Sequence, residues 1–248
     1  MPKAFFKSEL VTTFRMVIEP FEPSVSNGKN KVFYKSNQFL VTKTINPHWM
    51  PSQKNVFLPL LTFASIPMVI LFNKPFGVLS QFTPEAGHRA LDEFGFPAGV
   101  YAAGRLDHDS EGALLLTDEG KLIKKLLDPK FEHPRTYLAQ VDGQITQEAV
   151  DLLKKGVTIK GYRTKPCQAE IVEAPENLWE RVPPIRYRAN IPTSWVRLTL
   201  IEGKNRQVRH MTAAVGFPTL RLIRVKIGNI ALDELQPGEW RIVNEKVI

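Results

Sequence analysis

Gly104-Arg105-Leu106-Asp107-His108-Asp109-Ser110-Glu111-Gly112 sets three acids at alternate positions between two glycines, and Ala113-Leu114-Leu115-Leu116 follows at once. The apolar run is short and bounded by Gly112 and Asp118, so it reads as a buried strand or a short segment of core helix. An acidic loop leaning on a buried element is a good place for a fixed carboxylate. The loop lets a side chain face a cleft, and the buried neighbour limits its motion.

Three readings compete for this stretch. The plainest is a solvated turn, the usual fate of an acidic loop. The second is a calcium loop, because Asp107-x-Asp109-x-Glu111-Gly112 with Asp118 in the last ligand place approximates EF-hand spacing. Leu115 stands where that pattern wants a ligand, Asp118 is short for the bidentate glutamate, and Val100 to Gly104 reads as a strand running into a turn, not as a helix. The third is a catalytic aspartate, Asp107, beside Arg105, and it needs partners elsewhere in the chain.

The 248 residues suffice for a sizeable core in one or two domains. The net charge of +8 is unevenly spread: residues 67–180 carry 13 cations against 17 acids, and residues 181–248 carry 12 against 5. A basic face on a mildly acidic body suits a polyanion, most simply nucleic acid. A solvated lysine surface is the bland alternative, yet nine of those twelve cations are arginine, the better bidentate reader of phosphate and bases. The single cysteine, Cys167, excludes a disulfide framework and a thiolate zinc cluster and fits a reducing cytoplasm. The five histidines show no metal-ligand spacing.

Residues 1–66 are rich in Phe, Lys, Ser and Asn, and prolines 20, 23, 47, 51 and 59 interrupt every candidate element, so they read as a poorly structured leader. The uncharged stretch from Asn55 to Asn73 is broken by Pro59 and Pro67, which argues against a membrane span. A patterned domain begins at residue 67. Val69 to Phe72 reads as a buried strand, and Asn73-Lys74-Pro75 places Lys74 at its end. A short helix is expected over 88–94, a strand over 99–103, and a helix over 121–127. Arg135 to Val141 alternates as a strand with Tyr137, Ala139 and Val141 on one face. Thr146 is suited to cap a helix over 147–155 ended by Gly156. Short strands are expected over 157–159 and 169–172, and residues 175–194 read as an arginine-bearing arm containing Trp179, Arg181, Arg186 and Arg188. A strand follows over 195–201. Asn205 is a plausible cap for a helix that puts Arg206, Arg209 and His210 on one face. Cations at a helix N-terminus oppose its macrodipole, so an anion is expected there. A further strand, 222–228, carries Arg224 and Lys226 on one face.

The Gly104–Gly112 block, the Asn73-Lys74-Pro75 turn, Arg135-x-Tyr137, Asn205-Arg206-Gln207-Val208-Arg209 and Leu222-x-Arg224 together resemble the A-type family of ribosomal small-subunit pseudouridine synthases. The resemblance covers about residues 68–243. Ser80-Gln81-Phe82-Thr83, Pro183-Pro184-Ile185-Arg186 and Ile191-Pro192-Thr193-Ser194-Trp195 resemble members that act on large-subunit (23S) rRNA. The resemblance implies an α+β fold, a mixed and largely antiparallel sheet flanked by helices, with a catalytic cleft across its middle over residues 67–248. It implies a cytoplasmic rRNA uridine isomerase, working as a monomer with large-subunit rRNA as partner, with no cofactor, no metal and no membrane. Asp107 would open the glycosidic bond as nucleophile or as base. Tyr137 would stack on the uracil, and Arg209 would pair with Asp107 and keep it ionised. Arg105 would fill or brace the place of the flipped base, Lys74, Arg206 and Arg224 would hold RNA phosphates or the strand wall, and Arg186 and Arg188 would bind RNA. Asp109 and Glu111 would be structural. An idle RNA-binding module on the same fold is the competing class.

Overall fold

The computed structural model describes residues 31–36, 39–44, 67–185 and 192–244. They fall into two units, Met1–Phe63 and Ala64–Ile248. In the first, β1 (Lys31–Ser36) and β2 (Phe39–Thr44) form an antiparallel hairpin with Ser36 opposite Phe39. This hairpin lies within the expected leader, where no strand period was legible. The rest of residues 1–66 is outside the described residues.

The second unit is organised by one large sheet. Its strands are β3 (Val69–Lys74), β4 (Tyr101–Ala102), β5 (Glu111–Thr117), β6 (Arg135–Asp142), β9 (Gln168–Val172), β10 (Thr193–Leu200), β11 (Thr219–Ile227), β12 (Ile230–Ala231) and β13 (Trp240–Val243). A separate ribbon pairs β7 (Thr158–Ile159) with β8 (Tyr162–Arg163). The order across the sheet is β13-β3-β5-β11-β6-β10-β9, with β4 on β5 and β12 on β11. Every pairing is antiparallel except β5 with β11, which are parallel and meet only at Ile223 opposite Glu111 and Arg224 opposite Gly112. Among the described residues three helices, α1 (Gly120–Leu127), α2 (Gln147–Lys155) and α3 (Gln207–Ala214), complete the expected α+β architecture.

Local chemistry explains most of the elements. The apolar run after Gly112 is a strand, buried along its whole length between β3 and β11. The four residues Val69 to Phe72 opposite it are fully buried, each worth about 1.5–3 kcal/mol of transfer free energy. Thr146 caps α2 by accepting from the Ala149 N–H, as its position predicts. Glu119 does the same for α1 through Lys121. The helix expected over 88–94 is a single 3₁₀ turn, Leu91–Phe94, stopped by Gly95 in the left-handed region. The strand expected over 99–103 is two residues long, and the strand expected over 222–228 begins three residues earlier, at Thr219.

The core has three parts. One packs α2 and α3 on β6, β10 and β11 around Val141, Val196, Leu198 and Met211. A second joins α1 to β3, β5 and β11 through Leu115, Leu126 and Ile227. A third is aromatic, with Phe72 touching Phe94 and Phe96.

Candidate active site

The loop between β4 and β5 carries Asp107 and is braced on both sides of it. Ser80 Oγ donates to the Leu106 carbonyl at 2.7 Å and accepts from the Leu106 N–H at 3.0 Å. The Gly77 N–H donates to the His108 carbonyl at 2.6 Å. The turn that supplies both braces is held from inside by Lys74, whose Nζ donates to the carbonyls of Val78 (2.7 Å) and Pro75 (2.9 Å). Lys74 is fully buried, and burial pulls its ammonium down to about 7, with Glu111 opposing and Arg224 reinforcing the shift. Of the two expectations for Lys74, an RNA phosphate or the cleft wall, its burial and its two carbonyl contacts favour the wall, where it holds the turn.

Asp107 lies half-buried in a cleft of about 690 Å³ that also receives Arg105, Tyr137, Arg206, Leu222 and Arg224. Tyr137 reaches the cleft from the middle of β6, between Leu198 and Arg224 on the neighbouring strands. Ala139, two residues on and on the same face, is fully buried beneath it. Arg105 is exposed at the cleft and makes no hydrogen bond or ion pair among the described residues. Arg224 is buried, with Nε donating to the Ala113 carbonyl at 2.7 Å, so it ties β11 to β5 at the cleft floor. Arg186 and Arg188 lie outside the described residues.

The arginines of α3 depart from the expected pairing. Arg206 grips Asp109 with both terminal nitrogens, at 2.9 and 2.7 Å, and stands 3.8 Å from Asp107 Oδ2. Arg209 donates to the Asp109 carbonyl at 2.7 Å, and its Nε is 3.5 Å from Asp109 Oδ2. The counter-ion of Arg209 is thus Asp109, not Asp107. Burial works against the Asp109 charge, but the Arg206 hydrogen bonds and the charges of both arginines outweigh it and hold its carboxyl below the usual carboxylate range. The anion expected at the start of α3 is this carboxylate. The cap itself also differs: Arg206, not Asn205, occupies it, in the left-handed region at φ 50° and with no side-chain cap bond.

Glu111 is structural, as its motif position suggested, and its partners were not foreseen. Its carboxylate receives Arg221 Nε and Nη2 at 2.8 Å each and the Trp179 indole N–H at 2.7 Å. Arg221 also donates to the Trp179 carbonyl, at 2.9 Å. A buried acid beside an apolar run signals that a cation must join it; nothing in the sequence says which one. Asp109 and Glu111 are thus each gripped by an arginine, Arg206 and Arg221, and their oxygens are engaged there and not toward a calcium ion. Among the described residues, no cluster of three or more His, Cys, Asp or Glu is placed to hold a metal.

The family described as RNA pseudouridylate synthase matches residues 68–214. The ribosomal large subunit pseudouridine synthase E of Vibrio parahaemolyticus is 53% identical over 70% of this chain and 72% of its own length. The protein of the same name from Xanthomonas campestris is 49% identical over 73% of this chain and 98% of its own. A solved structure, "Crystal structure of pseudouridylate synthase", superposes with a TM-score of 0.60 at 28% identity, covering 73% of this chain and 74% of that one. The matched span takes in the braced loop, the cleft strand with Tyr137 and the arginine helix, and on that span this chain belongs to the RNA pseudouridylate synthase family.

Proposed function

We propose that the chain converts one uridine of large-subunit (23S) rRNA to pseudouridine, with Asp107 opening the glycosidic bond as nucleophile or as base. The observation that carries this reading is that Asp107 and Tyr137, from elements far apart in sequence, share one cleft whose other charged members include Arg105, Arg206 and Arg224. A base inside a helix is out of reach of such a cleft, so the uridine must leave its stack. The Tyr137 ring suits the face of the flipped uracil, and the unpaired, exposed Arg105 suits the place it leaves. Arg206, 3.8 Å from Asp107, sets a positive charge beside the carboxylate that would react. Relatives about half identical carry the name of a large-subunit rRNA synthase, which supports that target. Within the family we place the chain on the A-type branch of the small-subunit synthases, acting as a monomer in the cytoplasm.

The test compares wild type with Asp107→Asn on a 23S rRNA fragment, reading pseudouridine content alongside a binding titration. The variant keeps the shape of the loop and leaves Arg105 and Arg206 in place, so near-normal affinity with conversion abolished is the expected result. Conversion at the wild-type rate would sink the catalytic assignment of Asp107. Affinity without conversion in the wild type itself would favour the idle RNA-binding module.

A further inference from the structure

The cleft does not end at Asp107 and Tyr137. It runs on to Leu127, Glu132, Tyr162, Lys165 and Lys204, where the surface becomes aromatic and cationic. Tyr162, on β8, is 37% exposed. Its hydroxyl is satisfied within the protein, donating to Glu202 Oε2 at 2.7 Å. Glu202 Oε1 accepts from the Lys165 N–H at 2.9 Å and from Gln207 Nε2 at 2.6 Å. Gln207 is buried, and its own Oε1 accepts from the Lys204 N–H at 2.9 Å. The polar end of Tyr162 is thus locked to the start of α3, the helix that carries Arg206 and Arg209, while the ring stays open to solvent. Lys204 Nζ sits 4.7 Å from the ring centroid.

The local charges do not explain this arrangement as an ordinary ion-pair surface. Glu132 is taken by Lys165 at 2.7 Å. Glu202 is taken by Tyr162, Lys165 and Gln207. Asp128 is taken by Lys130. Lys204 has no carboxylate at ion-pair distance among the described residues, and its ammonium rests on the ring instead. A rigid aromatic with a spare cation, continuous with a catalytic cleft, is what single-stranded RNA recognition uses: bases stack on the ring and the cation meets the backbone.

We infer that Tyr162 and Lys204 form a second nucleotide subsite, which stacks an unpaired base flanking the target uridine and contacts its phosphate. This rests on the RNA-modifying reading of the same cleft and deepens it: the substrate is gripped through an unstacked segment of several nucleotides, and the flipped base is one part of it. Tyr162 acts on binding and not on the glycosidic bond.

The experiment measures kcat and KM of wild type, Tyr162→Ala and Tyr162→Phe on a 23S rRNA fragment containing the target, and on matching fragments with an abasic residue at each flanking position in turn. Tyr162→Ala is expected to raise KM about tenfold, the worth of one lost stack, with kcat held. Tyr162→Phe keeps the ring and is expected to recover most of that loss. At one flanking position the abasic fragment is expected to cost wild type a similar factor and to erase the difference between wild type and Tyr162→Ala, since the two changes remove the same contact. The subsite is overturned if Tyr162→Ala matches wild type, or if Tyr162→Phe is as poor as Tyr162→Ala. It is equally overturned if the Tyr162→Ala penalty persists on every abasic fragment, which would mark a structural role or a site for a protein partner. A wild type that neither binds nor modifies the intact fragment overturns the reading of the cleft, and the subsite with it.

Discussion

Arg206 can grip one carboxylate with both terminal nitrogens, and in this cleft it grips Asp109. That leaves Asp107 near a positive charge without being tied by it, which suits a group that must move toward the substrate sugar. Asp109→Asn frees Arg206 to close the 3.8 Å gap to Asp107. The expected outcome is a kcat lowered by roughly 10–100-fold through misplacement of the reacting carboxylate, with RNA affinity little changed and partial recovery when Arg206→Gln is added. Single-turnover kinetics and a binding titration read both, and an unchanged kcat rejects the role. Lys74 gives a second, thermodynamic prediction. Its folded pKa of about 7 lies below the value of about 10.4 for a free lysine, so between those limits the unfolded chain binds the extra proton. Stability contributed by this site therefore rises as pH rises from 7 toward 10. Denaturant titrations at pH 7 and pH 9 should show a larger gain for wild type than for Lys74→Met; equal gains would rule out the burial assignment. Asp107 and Tyr137 were singled out in the sequence by motifs that resemble those of a known family; the acidic loop and the strand alternation alone left plainer readings open for each. The arginine pairing was not legible, because Asp109 and Arg206 are 97 residues apart and a shift of an ångström or so decides which acid is taken.

The two halves of the sheet meet along β5 and β11, and the join is two residue pairs long. Gly112 makes the approach possible. Its φ of 103° is in a region that side chains avoid, and a Cβ there would collide with the Arg224 carbonyl. Gly112→Ala is expected to cost roughly 2–4 kcal/mol through strain and overpacking and to lower Tm by on the order of 5–10 °C; a melt within a degree of wild type would show that the join can relax. One residue earlier, Glu111 closes the same seam with Arg221 and draws in Trp179 from the segment before β10. Most elements were visible in advance: β6 and β10 alternate, α2 has a helical period and a capping residue, and β3 is a short bounded apolar run, while the run that forms β5 was open between strand and helix. The misjudged ones are short or are defined by partners. Leu91–Phe94 has too few residues to show a helical period, β4 exists because β5 offers it an edge, and the early start of β11 depends on Arg221 being buried by Glu111.

For the whole molecule, charge and architecture lead to separate expectations. Residues 181–248 carry 12 cations against 5 acids, so RNA affinity should fall steeply with salt as condensed counterions are released. Arg186→Ala or Arg188→Ala should each weaken binding and reduce the salt slope by about 1 if it meets a phosphate; an affinity indifferent to salt would exclude a phosphate-dominated interface. Architecture concerns where the folding unit begins. The unit boundary falls between Phe63 and Ala64, and residues from Met68 onward form three core clusters with one another. The Met68 N–H is itself tied to Asp118 Oδ1 at 2.9 Å, where β3 begins beside the end of β5. Among the described residues, the cleft and the sheet that builds it are drawn from positions after 67. A chain starting at Met68 should therefore fold cooperatively and convert the uridine of a 23S rRNA fragment with kcat within about twofold of the full chain, a difference of under about 0.5 kcal/mol in barrier. Circular dichroism melts and a pseudouridine assay on the two chains decide the matter. An insoluble product, or one that folds but loses conversion, would mean that residues before 67 contribute to the core or to the cleft, and the domain limits drawn from the sequence would have to move.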